Sequence, residues 1–147
     1  MLHAGTGRRR VLFLCTGNSC RSQMAEGLLR HFGQGLFEAF SAGTRPQGLN
    51  PAAVQAMREI GIDISGHKSE HVDAYLESGI DTVITVCDHA AANCPVFPGR
   101  AERVAWSFED PAAALGNEGQ RMAVFRRVRD EISGSVRSWI DRGPPEG

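Results

Sequence analysis

The sequence predicts a small α/β domain built on a parallel sheet. Three observations predict it. Short apolar or β-branched runs alternate with segments of helical apolar spacing. The first run stops at a turn-like stretch and passes straight into a helix. The 147 residues suffice for one domain with its own core, and no linker, repeat or low-complexity block divides them.

Each element has its own reason. Residues 1–10 (MLHAGTGRRR) are basic and read as a flexible tail, leaving the domain to residues 11–142. Residues 11–15 (VLFLC) form a strand buried on both faces. Met24, Ala25, Leu28, Leu29 and Phe32 recur at helical spacing, with Gly33 as the C-cap. Residues 37–41 (FEAFS) are a second strand. Asn50-Pro51 starts a helix, with Asn as N-cap and Pro in the first turn. Val54, Met57 and Ile60 continue it to Gly61, and residues 72–76 form a further short helix. Residues 82–86 (TVITV) are the clearest strand, and residues 103–106 a weaker fourth. Phe125, Val128, Ile132, Val136, Trp139 and Ile140 make one stripe of a helix over residues 120–140. Residues 143–147 (GPPEG) are expected to be a flexible tail.

Composition excludes several classes. Sixteen basic and 17 acidic residues leave a net charge of -1, so there is no global electrostatic case for nucleic acid or an anionic membrane. No apolar run approaches the roughly 20 residues of a membrane helix. The N-terminus does not read as a signal peptide, which predicts a cytoplasmic location. The four cysteines are therefore expected to be free thiols or small buried residues rather than disulfide staples.

The first strand-to-helix turn carries the chemistry. Its sequence is Cys15-Thr16-Gly17-Asn18-Ser19-Cys20-Arg21-Ser22. Ligands of open α/β sheets bind outside the carboxyl ends of the strands. Backbone N–H groups turning into a helix N-terminus make an anion nest. Gly17 is expected to take a turn conformation closed to residues with a Cβ. The planar fork of Arg21 matches a tetrahedral oxyanion. The same positive field stabilises a thiolate at Cys15, and Ser22 can hydrogen-bond it. The alternative is a buried strand cysteine followed by a surface arginine.

Cys87 ends the third strand and Cys94 lies seven residues on. Cys87 shares the sheet edge of Cys15, so a moving loop can bring the two sulfurs together. Cys87 and Cys94 can also pair if the segment between them loops out. Cys94 as a core thiol is the plainer alternative. Zinc on Cys87, His89 and Cys94 fits no common spacing.

The loop resembles that of the low-molecular-weight protein tyrosine phosphatase fold. Residues 15–27 (CTGNSCRSQMAEG) resemble the thioredoxin-coupled arsenate reductases in particular. The resemblance implies a four-stranded parallel sheet with helices on both faces. It implies that Thr16, Gly17, Asn18, Ser19, Cys20, Arg21 and Ser22 bind an oxyanion, with Cys15 as nucleophile. It makes Asp110, in Asp110-Pro111, the general acid. It assigns Cys15, Cys87 and Cys94 to a disulfide relay regenerated by thioredoxin, with Cys20 as a bystander. The substrate would be arsenate, with phosphate or sulfate competing, and the protein a monomer. In some members the residues matching Asn18, Glu26 and Ser41 help bind a potassium ion; Glu70 stands here where a shorter Asp often occurs. Glu26 as an ordinary helix residue is the alternative. His67 reads as a hydrogen-bonded loop residue. Two other functions stay open: a tyrosine phosphatase, and a non-catalytic oxyanion or redox sensor. Phosphatases of this fold usually place aromatic residues after the Asp-Pro pair, where this chain has Ala112-Ala113-Ala114.

Overall fold

Val11, Leu12, Phe13 and Leu14 are fully buried. A strand with no accessible side chain on either face belongs in the middle of a covered sheet. The structure, a computed structural model, describes residues 8–97, 99 and 101–142. Its elements are β1 (Arg9–Cys15), α1 (Arg21–Phe32), β2 (Phe37–Gly43), α2 (Pro51–Arg58), β3 (Thr82–Thr85), α3 (Asp88–Ala92), β4 (Glu102–Ala105) and α4 (Glu118–Asp141). Short 3-10 turns occupy Val72–Tyr75 and Pro111–Ala113. All strand pairs are parallel, in the order β2-β1-β3-β4. Among the described residues no helix is long and apolar enough to cross a membrane.

The step from β1 to β2 runs one way across the sheet, and the step from β3 to β4 runs the other way. Right-handed crossovers then place α1 and α3 on opposite faces. The reversal opens a crevice at the carboxyl ends of β1 and β3, where such sheets bind ligands. Cys15 ends β1, and Cys87 follows β3 by two residues. The parallel sheet and its four strands are those expected.

The differences lie at the ends of elements. β1 begins at Arg9, so Arg9 and Arg10 are ladder residues opposite Phe37 and Glu38 rather than tail. The Arg10 N–H donates to Asp81 Oδ2 at 2.8 Å, and its guanidinium donates to Glu38 at 2.9 Å and lies over the Phe40 ring. Acidic and aromatic neighbours thus hold Arg10, and the Arg9 N–H donates to the Leu36 carbonyl at 3.3 Å. Residues 1–7 and the expected tail at 143–147 lie outside the described residues. β2 runs two residues further than expected, to Gly43. Ile60 lies beyond the end of α2 and is 39% exposed. Residues 72–75 make a 3-10 turn, capped by His71 Nδ1 accepting from the Asp73 N–H.

The caps explain the other boundaries. Asn50 Oδ1 accepts from the Ala52 N–H at 2.8 Å and starts α2 with Pro51 in the first turn. Asn117 and Gln120 form a reciprocal capping box, so α4 starts at Glu118 rather than Gln120. Gly33 ends α1 through its N–H to the Leu29 carbonyl, as expected. The α4 stripe of Phe125, Val128, Ile132, Val136 and Trp139 is buried, and α4 packs on α1 and α2.

Gly43 decides how closely β2 approaches the loop after β1. A Cβ there would stand 2.6 Å from the Thr16 carbonyl oxygen and 2.9 Å from the Asn18 nitrogen. Both neighbours are backbone and cannot swing aside. Gly43→Ala is therefore expected to lower stability by about 1–3 kcal/mol, the cost of overpacking. Urea unfolding of the two proteins measures it, and equal midpoints would contradict the packing described.

Candidate active site

The loop between β1 and α1 is held by its carbonyls. Cys15 O accepts from the Thr44 N–H at 3.2 Å, and Thr16 O from Arg45 at 2.8 Å. Gly17 O accepts from the Gln47 N–H at 2.8 Å and from the Ser69 hydroxyl at 3.2 Å. Asn18 O accepts from Gln23 Nε2 at 3.0 Å, and Ser19 O from the Asn50 N–H at 3.0 Å. A planar trans peptide points its N–H opposite its carbonyl. With the carbonyls tied to the surrounding chain, the loop turns its N–H side inward. The Asn18 N–H shows this directly, donating to Cys15 Sγ at 3.1 Å.

The special backbone angle belongs to Asn18, not Gly17. Asn18 has φ +48°, the one positive φ at a described residue other than glycine. Asn tolerates this region better than most side chains do. Gly17 serves by being small: a Cβ there would lie 3.0 Å from Gln47 Oε1.

The Asn18 side chain then fixes the polarity around the sulfur. Its Oδ1 accepts from the Glu70 N–H at 2.8 Å, so the amide cannot be flipped. Its Nδ2 therefore donates to Ser22 Oγ at 2.8 Å and to Ser41 Oγ at 3.0 Å. Ser22 receives a hydrogen bond, which leaves its own proton for Cys15 Sγ at 2.9 Å. The buried sulfur thus has an N–H and an O–H donor aimed at it.

Cys15 lies on a cavity of about 250 Å³ lined also by Thr16, Gly17, Ser19, Cys20, Arg21, Gln47, Asp110 and Ala112. Arg21, in the first turn of α1, donates through Nη1 to the Phe108 carbonyl at 3.0 Å. Its Nη2 stands 4.0 Å from Asp110 Oδ2. Asp110 Oδ1 accepts from the Ala112 N–H and caps the turn at Pro111–Ala113, which holds the half-exposed carboxyl at the cavity wall. That wall carries alanine in place of an aromatic ring. Cys20 is buried, and burial pushes its thiol up to about 11, with the Ser19 hydroxyl pulling the other way.

The later cysteines are placed differently from each other. Cys87 Sγ lies 3.6 Å from the Thr16 hydroxyl, beside the loop. The same sulfur accepts from the Ala90 N–H at 3.4 Å and serves as the N-cap of α3. Cys94 lies two residues past the end of α3, in a small cavity of about 120 Å³ with Thr85, Ala91 and Arg103. Burial raises its thiol, with Arg103 opposing. All four cysteines are free. His89 lies on α3 beside Asn93, and no cluster among the described residues is built to hold a metal.

Asn18, Glu26 and Ser41 meet, but they do not fit a potassium ion, which requires converging oxygens. Asn18 turns N–H toward Ser41 rather than oxygen. Ser41 donates to Glu26 Oε1 at 2.6 Å, and Arg30 donates to Glu26 Oε2 at 2.6 Å. Glu70 turns its carboxylate to the Tyr75 hydroxyl instead of into the cluster. Burial and this carboxylate together raise the tyrosine well above its ordinary range.

Sequence reasoning missed Gln23, Gln47, Arg30 and the Phe108 carbonyl. Gln23 lies within the family-like stretch without a role assigned to it, and the others sit in no recognisable motif. Their roles come from chain segments that only the fold brings together. His67 is the hydrogen-bonded loop residue expected, held between Gln23 and Arg30.

The family model for low molecular weight phosphotyrosine protein phosphatase matches residues 10–143. The chain belongs to this family. It is 48% identical to an arsenate reductase of Halalkalibacterium halodurans over 136 residues, 92% of this chain and 98% of that one. A solved arsenate reductase in the phosphate binding state is 34% identical, with a TM-score of 0.74 over 91% of this chain and 98% of that one. A thioredoxin-dependent arsenate reductase of Corynebacterium glutamicum is 27% identical, with a TM-score of 0.73 over 95% of this chain and 63% of that one.

The burial of Cys20 has a direct test. A thiol raised to about 11 stays protonated at pH 8, and only the thiolate alkylates. Brief iodoacetamide treatment at pH 8 is expected to modify Cys20 far more slowly in the native protein than in urea. Peptide mass mapping reads the sites; modification of Cys20 as fast as in urea would contradict its burial.

Proposed function

We propose that this protein reduces arsenate to arsenite with Cys15 as nucleophile, and that Cys87 and Cys94 pass the resulting disulfide to thioredoxin. One observation carries the first step. Cys15 Sγ accepts from the Asn18 N–H and the Ser22 hydroxyl on a cavity whose loop carbonyls are all bonded elsewhere. A nest of N–H groups with a facing guanidinium suits a tetrahedral oxyanion in contact with a thiolate. The relatives named arsenate reductase support the choice of substrate, and the relative solved in a phosphate binding state supports an oxyanion in this loop.

The chemistry balances in three exchanges. The Cys15 thiolate attacks arsenic, and Asp110 protonates the oxygen that leaves as water. The Cys87 thiolate then attacks Cys15 Sγ. The S–As electron pair passes to arsenic, which leaves as arsenite, and a Cys15–Cys87 disulfide forms. Cys94 attacks Cys87, frees Cys15, and leaves a Cys87–Cys94 disulfide. The two thiols of thioredoxin supply the electrons that reopen it. The position of Cys87 Sγ beside Thr16 supports the second exchange. The third needs Cys94, two residues past the end of α3, to reach the sulfur that caps its start, and unwinding α3 allows it. A five-residue helix gives way easily. The thioredoxin-dependent relative supports this partner.

Two experiments test the scheme. With thioredoxin, thioredoxin reductase and NADPH, Cys87→Ser and Cys94→Ser are expected to lose steady-state turnover. The Cys15 thiol should still be consumed by arsenate in both. Sustained turnover in either variant would sink the relay. Asp110→Asn is expected to slow the first step by about 10²- to 10⁴-fold, the usual scale of proton transfer. Rapid-quench measurement of arsenate consumption reads that step, and an unchanged rate would remove Asp110 from it.

A further inference from the structure

Two strings of hydrogen bonds behind the loop start from one side chain and end on one residue. Arg30 Nη2 donates to Glu26 Oε2 at 2.6 Å and to the Ala39 carbonyl of β2 at 2.7 Å. Glu26 Oε1 accepts from Ser41, and Ser41 Oγ accepts from Asn18 Nδ2. That is the first string. Arg30 Nη1 lies 3.0 Å from His67 Nε2, and His67 Nδ1 lies 3.0 Å from Gln23 Oε1. Gln23 Nε2 donates to Asn18 O and to Lys68 O, so Oε1 is its accepting end. His67 therefore donates from Nδ1 and accepts from Arg30 at Nε2. That is the second string. Both end on Asn18, one at its side chain and one at its carbonyl.

Asn18 is also the residue held at positive φ, with its N–H on Cys15 Sγ. A strained backbone persists only where its surroundings over-determine it. The Glu26 side chain is only 12% exposed, and a carboxylate so placed needs a cationic partner. Arg30 is that partner, built into the chain one helical turn further along α1. The charge that a monovalent cation would supply beside Glu26 is already covalently present.

We propose that Arg30 is a positioning residue for the nucleophile: a resident cation that holds Asn18, and through it the donors on Cys15, by way of both Glu26–Ser41 and His67–Gln23. The inference rests on the reading of Cys15 as nucleophile. It predicts that the native protein responds alike to sodium and potassium, and that deleting Arg30 slows the reaction of Cys15 in both.

The test uses the full chain and measures the second-order rate of Cys15 alkylation by iodoacetamide at fixed pH. Buffers contain sodium or potassium at equal ionic strength, and peptide mapping with Cys15→Ser as control confirms the site. The wild type is expected to react at one rate in both salts. Arg30→Met is expected to react about 10- to 100-fold more slowly in both salts, the scale of displacing a reacting group through a remote change. Arg30→Lys should retain most of the native rate. A purely structural role for Arg30 would lower the melting temperature and leave the alkylation rate of the folded protein unchanged. The proposal is overturned if Arg30→Met alkylates like the wild type or if Arg30→Lys reacts as slowly as Arg30→Met. The wild-type comparison needs no variant to fold, and stimulation by potassium there overturns the proposal by itself. Cys15 that alkylates as expected in a protein unable to reduce arsenate overturns the proposed function and leaves the role of Arg30 standing.

Discussion

The Glu70 N–H bound to Asn18 Oδ1 is the contact on which the site depends. It settles which end of the amide faces which neighbour. With the oxygen committed, both amide protons must go to Ser22 and Ser41. Ser22 then has one direction left for its own proton, toward the Cys15 sulfur. One backbone donor thus determines a series of proton positions that no single residue controls. In a buried network of this kind each member polarises the next, so the correct sense matters more than the number of bonds.

The fold makes that contact available. The segment after β2 runs alongside the loop after β1 and gives its N–H groups to the loop carbonyls. It can come so close only because β2 ends in glycine. Arg21, fixed at one arm by the Phe108 carbonyl, links the start of α1 to the chain that carries Asp110. The loop, the β2 exit and the Asp110 turn are far apart in sequence, and the crevice of the parallel sheet is where they meet. A rigid scaffold presenting loops is the usual way such folds assemble chemistry.

The scaffold was legible in the sequence, and so was the crevice at which Cys15, Arg21 and Asp110 meet. Strand runs, helical spacing and the Asn50-Pro51 start are local signals, and they mark the right elements. Cys15 and Arg21 share the cavity with Asp110, and Cys87 lies beside Thr16. What failed was what depends on partners. Arg9 and Arg10 read as tail because Glu38, Asp81 and Phe40 are distant in sequence. Gly17 drew the unusual backbone angle because glycine is the ordinary residue for it, yet Asn18 takes it, held by hydrogen bonds from elsewhere in the fold. The oxygen set of Asn18, Glu26 and Ser41 depends on partners in the same way. Residue types gave a plausible oxygen set, while the direction of each hydrogen bond and the arrival of Arg30 are properties of three dimensions.

The sulfur of Cys87 has two duties in one atom: it caps α3, and it faces the loop. A five-residue helix has little cooperativity of its own, so the loss of one cap acceptor is a large fraction of what keeps it wound. Any new bond at that sulfur withdraws the acceptor from Ala90. Under the proposed relay, the oxidation state of one atom would be expressed as the winding or unwinding of a helical turn.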